Sequence, residues 1–118
     1  MELIDLLRGV LERKKELEER QRELLEKMRE LTPQSGSLEY KPVRNKIGRT
    51  YYYWYLRVWS GDKLKSIYLG KTIPPKVLKG IADRKMLKQL ESELKEVNAE
   101  LVRINNALVD VWRILSSI

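Results

Sequence analysis

The residues best suited to chemistry in this chain are aromatic and cationic, and they run together. Tyr51-Tyr52-Tyr53-Trp54-Tyr55-Leu56-Arg57-Val58-Trp59 is followed by Ser60-Gly61-Asp62 and then by Lys63-Leu64-Lys65-Ser66-Ile67-Tyr68-Leu69. That chemistry is recognition. Ring faces stack on bases, tyrosine hydroxyls donate to phosphate oxygens, and lysine and arginine displace the counterions condensed on a polyanion. The usual means of catalysis are missing, because the sequence has neither Cys nor His. Thiolates, imidazole bases and the common zinc ligands are thereby excluded. Carboxylates are plentiful, but they alternate with lysine and arginine at helical spacing, and no acid pair is set apart. Gly70-Lys71-Thr72 matches only the end of a Walker phosphate loop, since Lys65 stands where the partner glycine belongs. We expect no enzyme, no cofactor, no metal and no small-molecule substrate.

The charge is as localised as the rings. The chain of 118 residues carries a net +7. Met1–Leu31 has 8 basic and 9 acidic residues, 32–80 has 10 and 2, and 81–118 has 6 and 6. The middle segment also holds eight of the nine aromatic residues, leaving only Trp112 outside. An acidic polymer is the partner such a segment attracts.

Two charge-balanced arms must carry this basic segment. In the first, Leu3, Leu7, Val10, Lys14, Leu17, Gln21, Leu24, Met28 and Leu31 recur at spacings of four and three, the repeat of a coiled-coil seam. In the second, Leu87, Leu90, Leu94, Val97, Leu101, Ile104, Leu108, Val111, Leu115 and Ile118 do the same without a polar interruption. Between them Pro33, Gly36, Pro42, Gly48, Gly61 and Gly70 break any helical pattern. The expected layout is α+β: a long antiparallel two-helix coiled-coil hairpin, with a small three-stranded antiparallel sheet inserted at its tip. Its parts are helix 1 at 1–31, the sheet insert at 32–73 and helix 2 at 74–118, forming a single folded unit with Met1 beside the C-terminus. Gly80 and Ala82-Asp83 are expected to break helix 2 and restart it with Asp83 as cap. The long stems of Lys14 and Gln21 should lie along the seam and carry their polar tips to water.

Near the open end Ile4, Leu6 and Leu11, with Val102, Ala107, Val109, Trp112 and Ile114, lie off the seams. A two-helix hairpin cannot bury a helix on every side. A homodimer that pairs two hairpins through these ends into a four-helix bundle is therefore expected, with two heads facing away from each other so that one molecule bridges two DNA segments.

In the insert, Ser37–Arg44 supplies an edge strand that tolerates Pro42, and the aromatic run forms a β-hairpin with the residues after Gly61. Alternation places Tyr51, Tyr53, Tyr55, Arg57 and Trp59 on one face of the central strand and Tyr52, Trp54, Leu56 and Val58 on the other. The second set should face a cover made by Ile73, Val77, Leu78 and Ile81. The first should be joined by Lys63 and Lys65 and should bind nucleic acid. Arg44, Lys46 and Arg49 in a mobile loop, together with Lys71, would add phosphate contacts. Duplex DNA, read in the major groove by Arg57, is favoured over single strands or RNA.

The stretch from Tyr51 to Lys71 resembles a motif of small archaeal and bacterial proteins of unknown function. In them an aromatic strand, a turn and a second strand ending Tyr-Leu-Gly-Lys precede a long helix. Many of those relatives have a cysteine-rich loop before the aromatic strand, where this chain has Asn45-Lys-Ile-Gly-Arg-Thr50. The hairpin resembles more weakly the three-stranded sheet with which arm-type domains of some integrases hold DNA. Both likenesses imply a DNA-associated role.

The chain has no apolar run near the ~18 residues that span a bilayer, and its N-terminus opens on an acidic amphipathic pattern rather than a leader. It reads as cytoplasmic, nucleoid-associated if it binds DNA, with a glutamate- and lysine-rich composition like that of heat-adapted proteins. The alternatives are a protein-interaction adaptor or inhibitor from a mobile element, and an RNA-binding accessory factor.

Overall fold

The structure, a computed structural model, describes residues 2–117. Leu, Glu, Lys and Arg, all good helix formers, dominate the first thirty residues, and they form α1, Leu3–Glu30. Asp5 in its first turn and Lys27 and Arg29 in its last complement the helix dipole. The helix stops ahead of Thr32-Pro33, because a residue before proline is pushed out of the α region. Strands β1 (Ser37–Arg44), β2 (Thr50–Ser60) and β3 (Lys63–Gly70) follow, then α2 (Pro75–Ser116). Pro75 opens α2 where a missing N–H costs nothing. Two helices with a three-stranded antiparallel sheet between them in the chain make the expected α+β layout. Among the described residues no helix is long and apolar enough to cross a membrane.

The chain divides into two compact units, one of the residues up to Glu30 with those from Leu87 onward, the other Leu31–Met86. In the first unit α1 and α2 run antiparallel. Arg13 Nε and Nη2 donate to the two carboxylate oxygens of Glu100 at 3.0 and 3.2 Å, and Arg20 Nη2 donates to Glu93 at 2.6 Å. Seven steps forward on α1 are thus seven back on α2. Hydrogen bonds to Glu100 and then Glu16 hold the Arg13 guanidinium above its ordinary pKa, and bonds to Glu93 and then Glu23 do so for Arg20. The seams carry the burial. Leu17, Leu24, Leu90 and Leu101 are buried, and Leu7, Val10, Met28, Leu94, Val97, Ile104, Leu108 and Val111 are half-buried, whereas the end positions Leu3 and Leu115 are exposed. Met1 and the seam position Ile118 lie outside the described residues.

Gln21 is half-buried and its Nε2 donates to Oδ1 of the exposed Asn98 at 2.7 Å, so the polar seam position is satisfied across the helix pair; Lys14 is half-buried.

In the second unit the sheet order is β1-β2-β3, with Pro42 on the edge strand. Leu56 at mid-sheet is buried. The segment between α1 and β1 is clipped to the start of α2. Asp83 Oδ2 accepts from Thr32 N at 3.1 Å, Gln34 N donates to Gly80 O at 2.9 Å, and Arg84 Nη1 donates to Gln34 O at 3.1 Å and Gly36 O at 2.6 Å. These contacts overturn the expected helix break. Helix α2 runs unbroken through Gly80, whose hydrogen atom is needed because a Cβ there would lie 2.5 Å from Gln34 Cβ. Asp83 receives the Thr32 N–H instead of capping its own helix. Of the expected cover, Ile73, Val77 and Ile81 are half-buried, but Leu78 is 49% exposed. One residue beyond Val77 lies about 100° further round a helix.

Candidate nucleic-acid interface

Strand β2 presents its side chains alternately, and the register decides what joins each face. Glu39 pairs with Tyr55, Lys41 with Tyr53 and Ser37 with Arg57 on one side; Tyr68 pairs with Tyr55, Ser66 with Arg57 and Leu64 with Trp59 on the other. Residues paired across strands share a face. The tyrosine face therefore carries Tyr51, Tyr53, Tyr55, Arg57 and Trp59, flanked by Glu39 and Lys41 from β1 and by Leu64 and Tyr68 from β3. A register shift at Trp54/Tyr55 pairs Trp54 with Gly70 and leaves Leu69 without an opposite number.

Lys63 and Lys65 do not join this face. They pair with Ser60 and Val58, which places them on the face of Leu56. The cause is the two-residue loop Gly61-Asp62, with Gly61 at φ +66°: pairing Ser60 with Lys63 matches even residues of β2 to odd ones of β3.

On the tyrosine face the rings pack against one another. Tyr53 and Tyr55 meet Tyr68 edge-on at centroid distances of 5.5 and 5.6 Å, Tyr51 lies 6.4 Å from Tyr53, and Lys41 Nζ sits 4.3 Å from the Tyr55 centroid. Such an arrangement of rings and cation is favourable in its own right. Arg57 Nε lies 3.4 Å from Glu39 Oε2, an oxygen shielded from solvent that accepts no hydrogen bond, so the contact is an ion pair alone. Glu39, one of two acids in the basic segment, thus offsets the arginine at the centre of the face. Lys41, Glu39 and Tyr68 are members that alternation along β2 alone does not reveal; pairing register supplies them.

Trp59 stands apart. It is 71% exposed and borders a hollow of about 420 Å³ with Gly36, Ser37, Arg57 and Leu64. Gly36 forms part of its wall at φ +101°, where an added Cβ would come within 2.5 Å of Arg57 O and 2.6 Å of Val58 Cγ1.

The face of Leu56 has a ring cluster of its own, which periodicity along a single strand does not disclose. Tyr40 stacks on Tyr52 at 5.4 Å and tilts against Trp54 at 4.7 Å. Arg44 pairs with Thr50 and lies on this side. The β1–β2 loop is fastened rather than loose, because Asn45 Oδ1 accepts the N–H groups of Ile47 and Arg49, both at 3.0 Å. Lys46, Arg49 and Lys71 are exposed.

In the helical unit Ile4, Leu6, Leu11, Val102, Val109, Trp112 and Ile114 are all exposed, Trp112 by 70%. They do not form one surface, since Ile4 and Leu6, like Trp112 and Ile114, project about 200° apart round their helices. Ile4, Leu7 and Leu11 line one hollow with Arg8, Glu12 and Lys15. Among the described residues no group of three or more His, Cys, Asp or Glu could hold a metal ion.

The sheet and its flanking helices define an α+β protein in which a cationic, ring-bearing segment interrupts the sequence of a helical hairpin. Residues 14–79, more than half of the chain, match the family described as a domain of unknown function, DUF6788, and the chain belongs to that family. No curated protein and no solved structure matches it.

Proposed function

We propose that the protein binds nucleic acid without catalysing a reaction, using the unit Leu31–Met86. The observation that supports this most strongly is the coincidence of charge and rings. Seven of the eight aromatic residues of the basic segment, all but Tyr40, stand on β2 or β3, beside Lys41 and Arg57 and the exposed Arg44, Lys46, Arg49 and Lys71. Lysine and arginine supply affinity through phosphates, and rings add contacts to bases. Lys63 and Lys65 contribute from the opposite face. Such a protein acts where nucleic acid is, inside the cell. Titration of labelled duplex DNA, single-stranded DNA and RNA at two ionic strengths tests the reading: binding should fall as a steep power of salt concentration, and salt-independent binding refutes it.

A second copy of the chain is the partner we propose for the side of α1 that carries the exposed Ile4 and Leu11, giving a dimer that presents two sheets. Sedimentation should show twice the 14.0 kDa chain mass at micromolar concentration; a monomer there contradicts it. One observation favours a protein-interaction adaptor as the second reading. Tyr40 and Tyr52 stack on each other yet stay about half exposed, as rings awaiting an apolar partner do.

A further inference from the structure

We infer that the hollow beside Trp59 seats a nucleobase taken out of its stack, so that the protein prefers single-stranded to duplex nucleic acid; the inference rests on the nucleic-acid reading above. The rings of the sheet are not equivalent. Tyr51, Tyr53, Tyr55 and Tyr68 form a ladder of ring contacts, and Tyr40, Tyr52 and Trp54 form another. To stack on a base, these rings would have to give up contacts they already make. Among the described residues Trp59 belongs to neither ladder and is the most exposed ring of the sheet.

Beside it is room and a donor set. The hollow of about 420 Å³ falls in the range of sites that hold small ligands. Gly36 keeps one wall as bare backbone, and that wall is fixed, since Gly36 O accepts from Arg84 at 2.6 Å. Arg57 projects from the same face two residues from Trp59. Its Nε is the atom turned to Glu39, which leaves the N–H groups of its two terminal nitrogens for a phosphate. A ring platform, a positioned guanidinium and a rigid backbone wall suit one nucleotide of a strand. They suit a duplex poorly, because paired bases hide their faces in the stack and show only edges in the grooves. Held by Glu39, Arg57 is also less free to reach the floor of a major groove.

The test uses the full chain, a labelled oligothymidine and a duplex of equal length at low ionic strength. The oligothymidine should bind more tightly. Trp59→Ala should weaken it by about tenfold to a hundredfold and weaken duplex binding far less, while Trp59→Phe, which keeps a ring, should retain most of the affinity. Trp59 is exposed, so both variants should melt like the parent. Equal losses on both probes, or no loss on either, overturns the inference. Duplex binding as tight as that of the single strand overturns it too while leaving the nucleic-acid reading standing. A chain that binds neither probe removes both.

Discussion

The helical unit and the sheet unit are both rich in charged residues but use them in opposite ways. Along the helices acids match the cations in number, 9 against 8 in Met1–Leu31 and 6 against 6 in 81–118, and Arg13 pairs with Glu100 and Glu16 and Arg20 with Glu93 and Glu23. The electrostatics close within the unit and leave an apolar seam to hold it. In the sheet unit two cations are likewise paired, Arg57 with Glu39 and Lys79 with Asp83, but 32–80 holds 10 basic residues against only 2 acids. What holds this unit is one buried leucine, two ring ladders and a backbone clip. The surplus cations are left for a partner. A scaffold satisfies its charges; a binding surface keeps them unsatisfied.

The largest effects should come from the residues on which each unit closes. Leu24 is 0% exposed and Leu56 3%, and truncation of either to alanine should cost about 2–5 kcal/mol, read as a drop in the denaturant midpoint. If the two units melt separately, Leu24→Ala should lower only the helical transition and Leu56→Ala only that of the sheet. A single transition shifted equally by both would erase the distinction.

Next in size is a matched pair of glycines. Alanine normally improves a helix by up to about 1 kcal/mol over glycine. A Cβ added at Gly9 in α1 would have nothing within 4 Å, whereas one added at Gly80 in α2 would lie 2.5 Å from Gln34 Cβ and 3.2 Å from Gln34 N. Gly9→Ala should therefore stabilise, and Gly80→Ala should destabilise by about 1–3 kcal/mol. Thermal melts that move in the same direction for both would show that the clip between the linker and α2 yields easily.

The same glycine marks how far the sequence can be read. Both seams are legible because helix contacts repeat locally every three and four residues, and every seam leucine of the helix interiors is at least half-buried. The strands are legible for the same reason, alternation being local. What alternation leaves open is the partner of each residue. The face of Lys63 and Lys65 follows from the length of the Gly61-Asp62 loop, a signal that is present in the sequence but lies outside β2. The positions of Glu39 and Lys41 depend on the longer Asn45–Arg49 connection, and the shift at Trp54/Tyr55 has no sequence marker beyond Gly70. Gly80 misleads because a glycine that admits a neighbouring chain looks, along one stretch of sequence, like a glycine that ends a helix.

A smaller effect separates the two sheet faces. If nucleic acid lies on the tyrosine face, Arg57→Ala should lower the salt slope of binding by about 1, and Lys63→Ala or Lys65→Ala should change it less. Glu39→Gln, which removes the acid beside Arg57, should strengthen binding. Equal slopes for all three cations would mean that the ligand wraps both faces, and the tyrosine face would lose its special place.

The smallest effect belongs to the helical ion pairs, and it bears on why the helices hold together. Arg13 and Glu100 meet in a two-pronged contact, yet their side chains are 51% and 34% exposed. Water and salt screen such a pair, and ordering two long side chains offsets what attraction is left. Reversing or removing the pair should shift the melting temperature no more than an ordinary surface substitution does, and the shift should vanish at molar salt. Its role is then to help select the antiparallel register, alongside the Gln21–Asn98 hydrogen bond at a polar seam position. The measurement that isolates this role is a double-mutant cycle on Arg13 and Glu100 at low and high salt. A coupling that survives molar salt would mean that the helical unit draws real stability from its charges, and the contrast with the sheet would have to be redrawn as one of packing alone.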